Sequence, residues 1–165
     1  MGEPRTPVRH RDAAGVLLLA GLVLGPLLGG CGDPETSPRE AYCAVVGTEQ
    51  GRIAEVTGTG SPTALLDVLP SFERLEAAAP EDLVDEWSVV VTRVRALRDA
   101  LAAAEVDAGD YDPADPPASV TPAQQDAISG AARALATPDV AAALDAVQQQ
   151  ARDVCKTPLG LPGAG

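Results

Sequence analysis

The stretch PEDLVDEWSVVVTRVRALRDALAAAE, residues 80–105, decides the fold class. Its apolar residues Leu83, Trp87, Val90, Val94, Leu97 and Leu101 recur at alternating spacings of four and three. That period lays one continuous stripe along an α-helix, whereas a half-buried strand needs alternation at every second residue. Glu81, Asp82, Asp85 and Glu86 crowd the first two turns, where the helix dipole favours anions. Paired carboxylates also serve glycoside hydrolysis, but an acidic helix start already accounts for these four. Trp87 lies within the stripe and is expected in the core, not on a ligand platform.

Outward from this segment the same punctuation recurs at Ser37-Pro38, Ser61-Pro62, Thr121-Pro122 and Thr137-Pro138. A hydroxyl residue caps an orphan N–H at a helix start, and proline in the first turn has no N–H to orphan. Ser37 with Glu40 and Thr121 with Gln124 also have the spacing of a capping box. These starts predict helices over 38–57, 62–79, 122–136 and 138–155. The first carries Tyr42, Val46, Ile53 and Val56 on one stripe, interrupted at Glu49 or Gln50. The second carries Leu65, Val68, Phe72, Leu75 and Ala79, and Pro70 breaks its hydrogen bonding without breaking the stripe. One kinked helix is therefore expected there. Ile128, Ala131 and Leu135 face inward from the fourth helix. Val140, Leu144, Val147, Ala151 and Val154 do so from the last. Thr157-Pro158 begins another such pair, but Leu-Gly-Leu-Pro-Gly follows, so residues 158–165 read as a flexible tail.

Gly47 and Gly51 lie inside the first helix, where each costs about 1 kcal/mol relative to alanine. Close approach of a neighbouring helix is the expected compensation, with a ligand against bare backbone as the sharper alternative. Residues 106–120, VDAGDYDPADPPASV, form a solvated loop. Asp107, Asp110, Asp112 and Asp115 are weak candidates for a calcium site there, because counting from Asp107 or Asp110 puts neither glycine at the sixth position nor glutamate at the twelfth, as an EF-hand requires.

The first thirty residues differ in kind. Arg5, Arg9 and Arg11 precede AAGVLLLAGLVLGPLL, residues 13–28. At about 1.5 Å per residue this run spans only about 24 Å as helix, less than a hydrocarbon core of about 30 Å. A basic start, a short apolar core and small residues before a break mark a secretory signal peptide. The break, Leu28-Gly29-Gly30-Cys31, resembles the lipobox of bacterial lipoproteins. The resemblance implies cleavage after Gly30, a diacylglyceryl thioether on Cys31, and a new amine open to acylation, as by palmitate. Two chains anchor stably where one does not. Alanine richness and a preference for arginine over lysine fit a GC-rich, actinobacterial genome.

Residues 31–165 keep 22 of the 24 acidic residues and nine of the 12 basic ones, a formal charge of −13. Nucleic acid is disfavoured as a partner, because it requires clustered cations. The single histidine, His10, falls within the signal segment. Residues 31–165 therefore exclude histidine general bases, Ser-His-Asp triads and His-ligated zinc. With Cys31 acylated, Cys43 and Cys155 remain, and in an oxidising compartment two cysteines allow one intramolecular disulfide.

The expected architecture is all-α, a bundle of four to five helices with the disulfide joining the first and last. Residues 1–30 are the signal peptide, 31–36 the lipidated cysteine and tether, and 37–157 the helical domain. A tether of about five residues reaches at most about 18 Å, so the domain is expected close to the membrane. The mature part resembles small helical, single-disulfide lipoproteins of actinobacterial envelopes. That resemblance implies an extracytoplasmic, lipid-anchored protein of the cell membrane with no cofactor. Its expected role is a non-enzymatic envelope interaction or structural module, with another envelope protein as the expected partner. The alternative is an extracytoplasmic protein that binds a small ligand or metal ion.

Overall fold

The computed structural model describes residues 36–161. The expected signal peptide over residues 1–30, Cys31 and the expected tether as far as residue 35 lie outside the described residues, as do residues 162–165 of the expected tail. Six α-helices follow in chain order: α1 (Pro38–Gly58), α2 (Ala64–Asp67), α3 (Leu69–Ala78), α4 (Val84–Ala103), α5 (Pro122–Leu135) and α6 (Pro138–Asp153). A 3₁₀ turn over Glu81–Leu83 leads into α4. The described residues contain no strand, and none of their helices is long and apolar enough to cross a membrane.

Local chemistry sets most of these boundaries. At α1 the Glu40 N–H donates to Ser37 Oγ at 3.2 Å, and the Ser37 N–H donates to Glu40 Oε2 at 2.9 Å. Thr121 and Gln124 close the same reciprocal box at α5. Thr137 behaves differently, since its hydroxyl donates back to the Ala134 carbonyl at 2.8 Å instead of capping α6. The Ser61-Pro62 start is delayed. Ser61 Oγ accepts the Thr63 N–H at 3.2 Å, and the helix proper opens only at Ala64. Glu105, at φ +55°, ends α4 in a Schellman arrangement. The Val106 N–H reaches the Leu101 carbonyl at 3.2 Å and the Glu105 N–H the Ala102 carbonyl at 3.0 Å.

The kinked helix expected over 62–79 is two elements, α2 and α3, meeting at Val68. Pro70 cannot donate to the turn before it, so a new helix starts with proline in its first turn. Val68, Phe72 and Leu75 nevertheless remain on one buried side, which is why the stripe hides the break.

α4 is the centre of the packing. α3, α5 and α6 lie against it, and α1 packs on α3. The main core unites Tyr42, Val46 and Ile53 of α1 with Phe72 and Leu75 of α3. Trp87, Val90, Val91 and Val94 of α4 and Val147 and Ala151 of α6 complete it. Trp87 is fully buried. Its Nε1–H donates to Tyr42 Oη at 2.9 Å, and its ring lies 5.5 Å from that of Phe72, inclined at 52°. A smaller cluster gathers Leu101, Ala104, Val120 and Ile128 beneath the loop after α4.

Cys43 and Cys155 are disulfide-bonded, with Cα atoms 5.1 Å apart across 112 residues of sequence. Cys155 lies two residues beyond α6, so the bridge joins α1 to the turn that follows the last helix. Because α6 ends at Asp153, Val154 faces solvent at 41% exposure instead of completing the stripe. Ala143 and Gln148 are buried on α6, where Leu144 is only half-buried.

Two further expectations are corrected. The flexible tail does not begin at residue 158: Leu159 and Leu161 are buried in the main core. Gly160, at φ +71°, lies so close to α1 that a Cβ there would stand 2.9 Å from Ala54 Cβ. The Thr57 hydroxyl, with one proton to share between the Ile53 carbonyl at 2.8 Å and the Gly160 carbonyl at 3.0 Å, lies against this strap. Conversely, no helix approaches Gly47 or Gly51, and a Cβ on either meets nothing within 4 Å. They lie on the open side of α1, opposite its apolar stripe.

Closing 112 residues of chain before unfolding removes entropy from the denatured state. Reduction of the bridge is therefore expected to lower stability by about 2–4 kcal/mol while leaving most of the helical circular dichroism. Denaturant titration with and without reductant, alongside mass spectrometry of a non-reduced digest, measures both. Free thiols at Cys43 and Cys155 in the untreated protein would contradict the bridge.

Candidate functional site

Several concavities mark the described surface, and two of them bear on function. The first is a shallow depression of about 470 Å³ over α1 and α3, walled by Ala44, Val45, Ala77 and Ala78. Glu49 and Arg74 form its polar part. Glu49 is the interruption in the α1 stripe: two turns beyond Tyr42 it stays on the inward face, only 7% exposed. Arg74 holds both of its oxygens, Nε on Oε1 and Nη2 on Oε2, each at 2.7 Å. Nη2 also reaches Ser71 Oγ at 3.3 Å. These hydrogen bonds keep the Glu49 carboxyl below the ordinary glutamate range, against the desolvation that pushes it up. Every strong polar group here is already committed within the fold, so the depression offers a ligand little beyond apolar contact.

The second is a cleft of about 400 Å³ between α2, α4, α5 and the loop after α4. Its walls are Leu66 of α2, Leu97 and Leu101 of α4, and Ile128 of α5. Tyr111 and Pro113 of the loop form one side, and Ser129 and Arg133 of α5 line another. Leu66 and Leu97 belong to packed clusters and yet remain half-buried, because the cleft opens on their outer sides. The Thr63 hydroxyl, also on the lining, is taken by Asp67 Oδ2 at 2.9 Å. Arg133 is exposed and, like Arg39, Arg52 and Arg152, has no carboxylate partner among the described residues, whereas Arg74, Arg93, Arg95 and Arg98 are ion-paired. Of the unpaired arginines it is the one that lines this cleft. An apolar concavity with a few convergent polar groups is the ordinary form of a small-molecule site. This cleft is the candidate site.

The residues singled out in the sequence fall elsewhere. Asp107, Asp110, Asp112 and Asp115 are exposed and spread along the loop, and among the described residues no three acidic or sulfur ligands converge on one point. Asp112 Oδ1 instead accepts the Ala114 N–H at 2.8 Å, and the Asp110 N–H closes a turn on the Asp107 carbonyl at 3.1 Å. The loop is solvated only in part: Val120 is buried, and Val106 and Tyr111 pack on the cluster beneath it. The acidic start of α4 is exposed at Glu81, Asp82 and Asp85. Cys31 lies outside the described residues.

Arg133, Tyr111 and Leu66 carry no motif. One signal was present: Leu66 lies off the stripe of Leu65, Val68, Phe72 and Leu75, and in the structure it packs against both the main core and the smaller cluster. The chain matches no family model, no curated protein and no solved structure.

Replacing Glu49 by Gln should destabilise the domain by about 1–2 kcal/mol at neutral pH. The low end of the range for charged hydrogen bonds applies because the Arg74 side chain is 50% exposed and rehydrates. The Glu49 pKa is lowered on folding, so its contribution is complete above the ordinary glutamate range and is lost as pH falls through the lower, folded-state value. Urea titrations at neutral pH and below about pH 4 should show the difference between wild type and variant shrinking in acid. A difference that stays constant with pH would contradict the assignment.

Proposed function

We propose that the chain is an extracytoplasmic lipoprotein, anchored to the cell membrane through Cys31 and acting there as a non-enzymatic envelope interaction module. The observation that carries this reading is the Cys43–Cys155 disulfide. Structural disulfides persist in oxidising compartments, and the pairing leaves Cys31, the cysteine of Leu28-Gly29-Gly30-Cys31, free to take the lipid. The bond ties the start of α1 to the turn after α6, which supports a helical bundle whose two ends lie at one pole. The absence of histidine from residues 31–165 leaves a role without histidine-dependent catalysis.

A second reading, capture of a small ligand, is favoured by one observation, the half-lined cleft beside Arg133. Its metal-ion form has no comparable support, since the loop aspartates do not converge.

The anchor is tested in the precursor. Replacing Cys31 by Ser should abolish incorporation of labelled fatty acid and the detergent partitioning of the protein, while leaving the Cys43–Cys155 bridge intact. A variant that is still labelled like wild type would overturn the lipoprotein assignment.

A further inference from the structure

We propose that the cleft between α2, α4, α5 and the following loop binds a small amphiphile: one aliphatic chain ending in a single carboxylate, with that head at Arg133. The proposal rests on the ligand-capture reading above and specifies its ligand class.

The shape selects the tail. At about 400 Å³ the cleft falls in the range of small-molecule sites. Leu66, Leu97, Leu101 and Ile128 present branched aliphatic carbon from three helices. Tyr111 is the only aromatic residue on the lining, so stacking of a flat ring system gains little, and flexible hydrocarbon fits better. No strand edge occurs among the described residues to hold an extended peptide by its backbone.

Charge selects the head. Arg133 is the only charged residue lining the cleft, and it pairs with no carboxylate among the described residues. Planar guanidinium matches a carboxylate with two parallel hydrogen bonds. The strong excess of acid elsewhere sets a limit. Asp107, Asp110 and Asp112 are exposed neighbours in sequence of the lining residues Ala108, Tyr111 and Pro113. Asp107 also lines an adjoining hollow that shares Leu66, Leu101 and Ala108, so the acid on this side disfavours a polyanion. A monoanion is admitted where a polyphosphate is repelled. At physiological ionic strength charges beyond about 8 Å are largely screened, so the distant acids do not cancel the local contact.

Calorimetric titration of the full chain in nanodiscs of zwitterionic lipid, with empty nanodiscs as the blank, tests this. The probes are octanoate, octylammonium and octanol. Octanoate is expected to bind saturably at one site per chain, more tightly than either of the others. Arg133→Gln lies on the exposed side of α5 and should fold normally; it is expected to weaken octanoate about fivefold while leaving octanol unchanged. Ala132→Trp, at an exposed position on the lining, is expected to fill the cleft and abolish binding of all three probes. If the probes bind alike and Arg133→Gln changes nothing, the anionic head is refuted while ligand capture survives. If none binds, both are refuted. Binding that survives Ala132→Trp would overturn the placement in this cleft.

Discussion

The rest of the domain depends on the hydrogen bond from the Trp87 indole N–H to the Tyr42 hydroxyl, 2.9 Å long and fully buried. Two large side chains each bring a polar atom into an apolar core, and each atom has the other as its partner. Among the described residues no buried side-chain nitrogen or oxygen is left without one. Unpairing such a group costs about 1–3 kcal/mol beyond any lost packing, so the contact favours one rotation of α1 against α4 over its neighbours. That rotation has consequences along α1. Glu49, two turns on, is brought inward to meet Arg74, and Cys43, the next residue, reaches Cys155 in the turn after α6. The rotation also turns Gly47 and Gly51 outward.

The acid excess is distributed so that little of it is buried. Glu73 and Glu76 share Arg95 on the outer side of α3 and α4, with 2.8 and 3.3 Å contacts. Exposed pairs of this kind contribute only about 0–1 kcal/mol each. Glu49 is the exception, and its arginine keeps it from being a buried lone charge. The two concavities differ for the same reason. Over α1 and α3 the arginine is consumed by the fold; beside α5 it is left over. A spare cation at the mouth of an apolar cleft, in so acidic a chain, is what distinguishes a candidate binding site from a packing defect.

Helix placement was legible because the signals are local. Capping boxes and proline starts act within four residues, and the 83–101 stripe repeats over five turns. The disulfide was legible once Cys31 was set aside. Misreadings arose where the outcome depends on distant chain. Leu159 and Leu161 look like a tail beside Pro158 and Gly160, but they bury against α1, about a hundred residues earlier. Glycines four apart suggest a close crossing, yet their phase on α1 is set by Tyr42, which points the other way. Pro70 preserves the stripe while ending a helix, so periodicity alone cannot separate a kink from a break. Arg133 and Tyr111 become neighbours of one cleft only through the packing of α5 and the loop on α4, and no spacing in the sequence records that.

The most direct measurement of the central claim is hydrogen exchange at the Trp87 indole N–H, followed by NMR in the full chain across a series of low denaturant concentrations. Buried and bonded to Tyr42, this proton should exchange only when the whole domain unfolds, with the same free energy as the slowest backbone amides of α4. Exchange as fast as that of exposed amides, or insensitive to denaturant, would show that α1 is not held to α4 through this contact and would contradict the account.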